Sequence, residues 1–256
     1  MKPVIFTGVH NSGKTTIILR ALKGLTKKGN TVEIIKHAEN FTVSSNLKDT
    51  ELFSKNGAVQ SIAILSDKII SFTKRTSIKN CEITDKELLQ FLILSSTSDF
   101  ILIEGFKNSM LPIPKIVVCK DETNNFKLFD ELTVGYIAKE RYKEIEKHFP
   151  AAHHINPDVN ENQLASFIEK NTFDFLGGLD CGECGYQDCL GLARAIIEGK
   201  ETTKSCRSLT SNVELYIDNT KIPMKDFVRS ILKGTVEGFI KNLHGWKKGE
   251  ITLKIK

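Results

Sequence analysis

The chain has 256 residues, 40% of them hydrophobic and 26% charged, with six cysteines and a formal net charge of +5. That composition excludes an intrinsically disordered chain, and no apolar run nears the ~20 residues that span a bilayer. The positive charge favours anionic ligands, but the lysines are dispersed rather than massed, so neither nucleic acid nor a membrane is expected as a partner.

No signal-peptide pattern opens the chain, so the cytoplasm is the expected compartment, where thiols stay reduced and a disulfide framework is not expected. "PVIFTG" reads as a short apolar strand, "KTTIILRALKGLTKKG" has helical spacing and ends in Gly29, and "TVEIIKH" is again strand-like. Together they make a βαβ unit.

Between the first strand and the helix, "GVHNSGKTT" (residues 8–16) satisfies GxxxxGK[ST] in the strand-to-helix context that a phosphate-binding loop needs. Gly8 and Gly13 let the backbone curl so that successive N–H groups, through His10, Asn11 and Ser12, face phosphate oxygens at the helix N-terminus. Lys14 would neutralise the outer phosphates, Thr15 would ligate Mg²⁺, and Thr16 would add a further phosphate contact.

Next, "KDTELFSKNGA" suggests a short helix; its Asp49 either belongs to a switch region that approaches magnesium or caps that helix. "VQSIAILSDKIISFTK" reads as two adjoining strands, and "TDKELLQFLILSSTS" as a helix with Thr84 and Glu87 spaced as a capping box. The strands "DFILIEG", "PKIVVC" and "LTVGYIA" follow. Apolar runs such as "FILI" and "KIVV" imply burial on both faces, hence an α/β fold with a mainly parallel sheet flanked by helices.

Glu104 ends the buried run "FILIEGF", where the acid that organises magnesium or the attacking water belongs in a P-loop NTPase. Lys14, Glu104 and Asp49 are therefore the candidate catalytic residues. "VVCKDE" places Lys120 in register with the guanine-reading Asn-Lys-x-Asp pattern, with Cys119 and Glu122 in place of the amide and the aspartate, so ATP stays open beside GTP.

The expected organisation is a nucleotide-binding domain over residues 1–150, a helical linker over 151–178, a four-cysteine segment over 179–210 and a small α+β tail over 211–256. The linker carries a helix from about Glu161 to Asn171 and breaks at Gly177 and Gly178, while His153 and His154 read as an exposed connector. In the tail, a hairpin is expected around Asp218 and Asn219, a helix over "KDFVRSILKGTVEGFIKNL" and a strand over "EITLKIK".

Four of the cysteines, Cys181, Cys184, Cys189 and Cys206, read as metal ligands; they are separated by two, four and sixteen residues, whereas a zinc ribbon shows two paired CxxC knuckles. Three thiolates interleaved with Gly182 and Gly185 can wrap three corners of a cubane. If "LGLARAIIE" is helical it rises ~14 Å, and the residues that follow can return up to ~20 Å, so Cys206 reaches the helix start. A four-iron four-sulfur cluster is the leading expectation, with zinc as the alternative.

"GVHNSGKTT", "IIKHAENF", "KDTELFSKNGA" and "LIEGFK" before "PKIVV" resemble the molybdopterin-guanine dinucleotide biosynthesis protein B (MobB) family over roughly residues 2–140. The resemblance implies a homodimeric, slow P-loop GTPase that assists the molybdopterin guanylyltransferase, with Lys36, His37 and Lys107 facing the pterin cofactor. The cysteine stretch, with its Cys-Gly-x-Cys-Gly-Tyr, Ala193, Ala195, Gly199 and final Cys, is similar to the small domain of corrinoid iron-sulfur proteins. Two other roles stay open: an iron-sulfur electron carrier anchored by its nucleotide domain, and a nucleotide-driven protein that delivers metal or clusters.

Overall fold

The computed structural model describes residues 1–37, 56, 60–64, 69–73, 84–106, 109–120, 126–210, 213–217, 220–247 and 249–252. Six parallel strands form the central sheet: β1 (Lys2–Thr7), β2 (Val32–Lys36), β5 (Phe100–Glu104), β6 (Lys115–Val118), β7 (Thr133–Ile137) and β8 (His153–Ile155), in the order β2-β5-β1-β6-β7-β8. The intervening β3 (Gln60–Ile64) and β4 (Ile69–Thr73), the two adjoining strands read from the sequence, pair antiparallel in a separate two-stranded sheet.

Alternate residues of β1 and β5 serve two cores, which is why their sequences run apolar throughout. Val4, Phe6, Phe100 and Leu102 pack under α1 (Lys14–Lys27) and α4 (Glu161–Asn171). On the opposite face, Ile5, Ile101 and Ile103 pack with Leu89 and Ile93 of α2 (Asp85–Ser95). The capping box of α2 forms as its spacing predicts: Glu87 N–H donates to Thr84 Oγ1 at 3.2 Å and Thr84 N–H donates to Glu87 Oε2 at 3.0 Å.

The segment read as a linker is part of this layer structure. β8 pairs in parallel with β7, His154 Nε2 lies 2.8 Å from the Ala138 carbonyl, and α4 packs along α1. His153 and His154 are therefore strand residues and not an exposed connector; a three-residue edge strand with two imidazoles carries too little apolar signal to be read as one. Between β7 and β8 runs α3 (Lys143–His148).

The cysteine segment folds around α5 (Cys189–Ile197) and joins a cluster with Leu132, Phe173 and Leu176. Leu132 immediately precedes β7, while Phe175 N–H donates to the Met1 carbonyl and the Met1 ammonium pairs with Asp174 at 2.8 Å. These contacts seat the segment at the amino ends of the strands. Beyond it, β9 (Leu215–Ile217) and β10 (Thr220–Ile222) form the expected hairpin, followed by α6 (Asp226–Ile240). The strand expected over "EITLKIK" is not found at residues 250–252, and its remainder lies outside the described residues. Among the described residues no helix is long and apolar enough to cross a membrane.

Candidate functional site

All six strands of the sheet point the same way, so their carboxyl ends share one edge, and that edge collects the residues predicted for nucleotide. The loop after β1 ends at Gly13, whose φ of 88° lies in the left-handed region that favours glycine. No side chain caps α1, which leaves its first N–H groups to a ligand. Lys14 lies over the loop, its Nζ donating to the carbonyls of Val9 at 2.7 Å and Gly8 at 3.2 Å. His10, Asn11, Thr15 and Thr16 face solvent around it.

Two buried hydroxyls, Thr7 Oγ1 and Ser12 Oγ, have no hydrogen-bond partner. An unpaired buried hydroxyl costs roughly 1–3 kcal/mol. The two fall at the end of β1 and within the loop, where a bound phosphate–metal group would supply the missing partner. The residues present therefore fit a nucleotide with Mg²⁺.

Glu104 occupies the end of β5, in register with Phe6 of β1 on one side and Lys36 of β2 on the other. Its carboxylate accepts from Thr15 Oγ1, which stands 3.2 Å from both oxygens, and pairs with Lys36 Nζ at 3.4 Å. His37 follows Lys36, donates its backbone N–H to the Glu104 carbonyl at 3.0 Å, and packs its ring on Phe106. The Lys36–Glu104 pair has no signature in the sequence, because it depends on strand neighbours far apart in the chain.

At the other edge of the sheet, Cys189 and Cys206 are buried in one apolar cluster, and Cys184 packs against it. Cys181 is half-buried. Cys189 opens α5; its N–H donates to Asp180 Oδ1 at 3.0 Å, and its Sγ accepts from Asp180 N–H at 3.4 Å. Burial pushes the Cys189 thiol up to about 11, so any metal taken up there displaces a proton. Cys206 Sγ lies 3.2 Å from Ser208 Oγ. Gly185 has a φ of 87°, in the left-handed region that favours glycine. Among the described residues, no three His, Cys, Asp or Glu side chains converge on a single ion. The fit therefore rests on the donor set alone, four thiols within residues 181–206, which is the ligand chemistry of an iron-sulfur cluster.

A family model for molybdopterin guanine dinucleotide synthesis protein B matches residues 4–139, just over half of the chain. The chain belongs to that family. A second family model, described as "Putative Fe-S cluster", matches residues 176–208 and so takes in Cys181, Cys184, Cys189 and Cys206. A Bacillus subtilis (strain 168) protein described as "Probable molybdopterin-guanine dinucleotide biosynthesis adapter protein" is 30% identical over 59% of this chain and 84% of its own. The Haemophilus influenzae molybdopterin-guanine dinucleotide biosynthesis adapter protein is 28% identical over 67% of this chain and 89% of its own. Among solved structures, Bacillus subtilis MobB superposes with a TM-score of 0.46 at 23% identity, over 62% of this chain and 91% of that one.

Within the family segment, the structure brings Gly8 to Thr16, Lys36, His37 and Glu104 to one edge. Lys120 is exposed just past the end of β6, and Val118 of that strand is so close to Gly8 that an added Cβ would lie 2.4 Å from its carbonyl oxygen. Asp49 and Lys107 lie outside the described residues, as do Glu122 and the helix expected over "KDTELFSKNGA", apart from Asn56. Sequence reasoning missed Thr7, an ordinary strand residue until its burial is known. It also missed the buried Arg229, which donates to Glu183 Oε2 at 3.0 Å and thereby ties the cysteine loop to α6.

Proposed function

We propose that this chain is a nucleotide-binding adapter in molybdopterin guanine dinucleotide biosynthesis, working beside the molybdopterin guanylyltransferase and its pterin cofactor. GTP is the favoured nucleotide, with ATP as the alternative, and Mg²⁺ the metal; turnover is slow and serves the adapter role. The observation that carries the reading is the convergence of Thr15 and Glu104 beside Lys14 and the unpaired hydroxyls of Thr7 and Ser12. Thr15 and Glu104 would hold Mg²⁺, Lys14 would leave the loop carbonyls for the outer phosphates, and the free N–H groups of α1 would bind the remaining oxygens.

Cys181, Cys184, Cys189 and Cys206 would hold a four-iron four-sulfur cluster in the same reading, and such a group supplies one-electron chemistry when bound. The names of the relatives support the pathway, and the family resemblance supports a homodimer. The deciding experiment is calorimetric titration of the full chain and its Lys14→Ala variant with GTP and ATP, with and without Mg²⁺. Magnesium-dependent binding lost in the variant is the expected result; equal binding by both proteins would overturn the site.

A further inference from the structure

A cleft of about 300 Å³ opens between the end of the cysteine segment and the first turns of α6, lined by Arg207 and Thr210 on one side and by Asp226, Arg229, Ser230 and Lys233 on the other. That volume is at the lower end of the range for small-molecule sites. Its walls are tied in place. Thr210 Oγ1 donates to the Cys206 carbonyl at 3.1 Å, and Arg229, only 4% exposed, holds Glu183 of the cysteine loop and Asp226 of its own helix at 3.0 Å each.

We propose that this cleft binds a phosphate monoester, held by Arg207, Lys233, Ser230 and the buried Arg229. A guanidinium carries five N–H groups in a fixed fork. In Arg229, Nε donates to Asp226 Oδ1 at 3.4 Å, Nη2 donates to Asp226 Oδ1 and Glu183 Oε2, and Nη1 donates to the Met224 carbonyl at 2.6 Å. One Nη1 N–H is left without a partner among the described residues. Buried donors are as a rule paired, and an oxyanion in the cleft that this side chain lines would supply the acceptor.

Charge and donor chemistry select the class of ligand. Glu183 and Asp226 neutralise Arg229, so the uncompensated charge comes from Arg207 and Lys233, both exposed. No acid among the described residues pairs with Arg207. Lys233 meets Glu237 only at 3.9 Å, and Glu237 is shared with Lys241 at 3.6 Å, so that exposed pair leaves most of the ammonium's charge available. Two cations match the dianion of a phosphate monoester better than the single charge of a carboxylate, and the fork of Arg207 suits two phosphate oxygens at once. The Ser230 hydroxyl adds a neutral donor. The cleft joins the cysteine segment to α6, outside residues 4–139, and the inference is independent of the nucleotide reading.

The test is equilibrium dialysis of the full chain against radiolabelled inorganic phosphate at low salt, beside an Arg207→Ala/Lys233→Ala variant and a Ser230→Asp variant. All three positions are exposed, so these changes do not threaten the fold. The phosphate loop is present in every protein, so any phosphate held there cancels in the comparison. The intact chain is expected to bind one phosphate more than either variant, and phenyl phosphate is expected to displace it at a concentration at least tenfold lower than acetate does. Equal phosphate on the intact chain and on either variant would overturn the site; displacement by acetate as readily as by phenyl phosphate would overturn the ligand class.

Discussion

Thr15 Oγ1 stands 3.2 Å from both carboxylate oxygens of Glu104, a contact made across 89 residues of chain between the start of α1 and the end of β5. Hydroxyl and carboxylate are thus the pair that would hold Mg²⁺ in the proposed reading. Replacing Glu104 with Gln keeps the shape and removes the charge. The expected outcome is a 10–100-fold loss of magnesium-dependent GTP affinity, by analogy with losses at oriented metal sites. Titration at varied Mg²⁺ measures it, and an unchanged magnesium dependence would remove Glu104 from the site.

The nucleotide loop and the cysteine cluster sit at opposite ends of strands five to six residues long, so roughly 17–20 Å of sheet separates them. Cys189→Ser should lower iron and acid-labile sulfide per chain at least severalfold after anaerobic purification, while GTP affinity stays within about twofold because effects at sites more than ~10 Å apart are largely independent. A parallel fall in nucleotide affinity would show the two sites to be coupled through the sheet.

Arg229 is the charged group that fastens α6 to the cysteine loop. Its guanidinium meets Glu183 at 3.0 Å, and Asp226 N–H donates to the other Glu183 oxygen at 2.5 Å. Glu183→Ala removes both acceptors and should cost about 1–3 kcal/mol locally. The readout is limited proteolysis: cleavage after residue 210 should accelerate while the sheet stays protected. Unchanged cleavage would mean that α6 is held by other contacts.

Tyr136 is a buried residue of β7, its hydroxyl donating to Glu146 Oε1 at 3.0 Å and accepting from Tyr142 N–H at 2.9 Å. Burial pushes its hydroxyl up to about 12, while the unfolded chain titrates near 10. Because the folded value is the higher one, this stability is fully present below about pH 10 and is lost as pH rises through about 12. Urea midpoints across that range should fall more steeply for the native chain than for Tyr136→Phe. The variant should be about 1 kcal/mol less stable at pH 7, having lost the hydroxyl that accepts from Tyr142 N–H and donates to Glu146.

Local chemistry made much of this legible in the residues alone. The phosphate loop announces itself within nine residues, the cysteines within twenty-six, and the Thr84–Glu87 capping box within four, because each depends on near neighbours in the chain. The apolar runs "FILI" and "KIVV" determined a sheet buried on both faces, since no other strand environment tolerates them. Glu104 was identified for the same reason: it is the first polar residue after such a run.

Tertiary structure alone decided which distant groups meet. Nothing in "HHI" shows that it closes the sheet as β8, and nothing in "CGEC" shows that Glu183 waits for an arginine 46 residues later. Lys36 meets Glu104 only because β2 and β5 are neighbours in register. The same is true of the placement of the cysteines at the amino ends of the strands, opposite the phosphate loop. Spacing along a chain sets local backbone geometry, whereas strand order and the docking of α5 and α6 arise from burial summed over segments far apart in sequence.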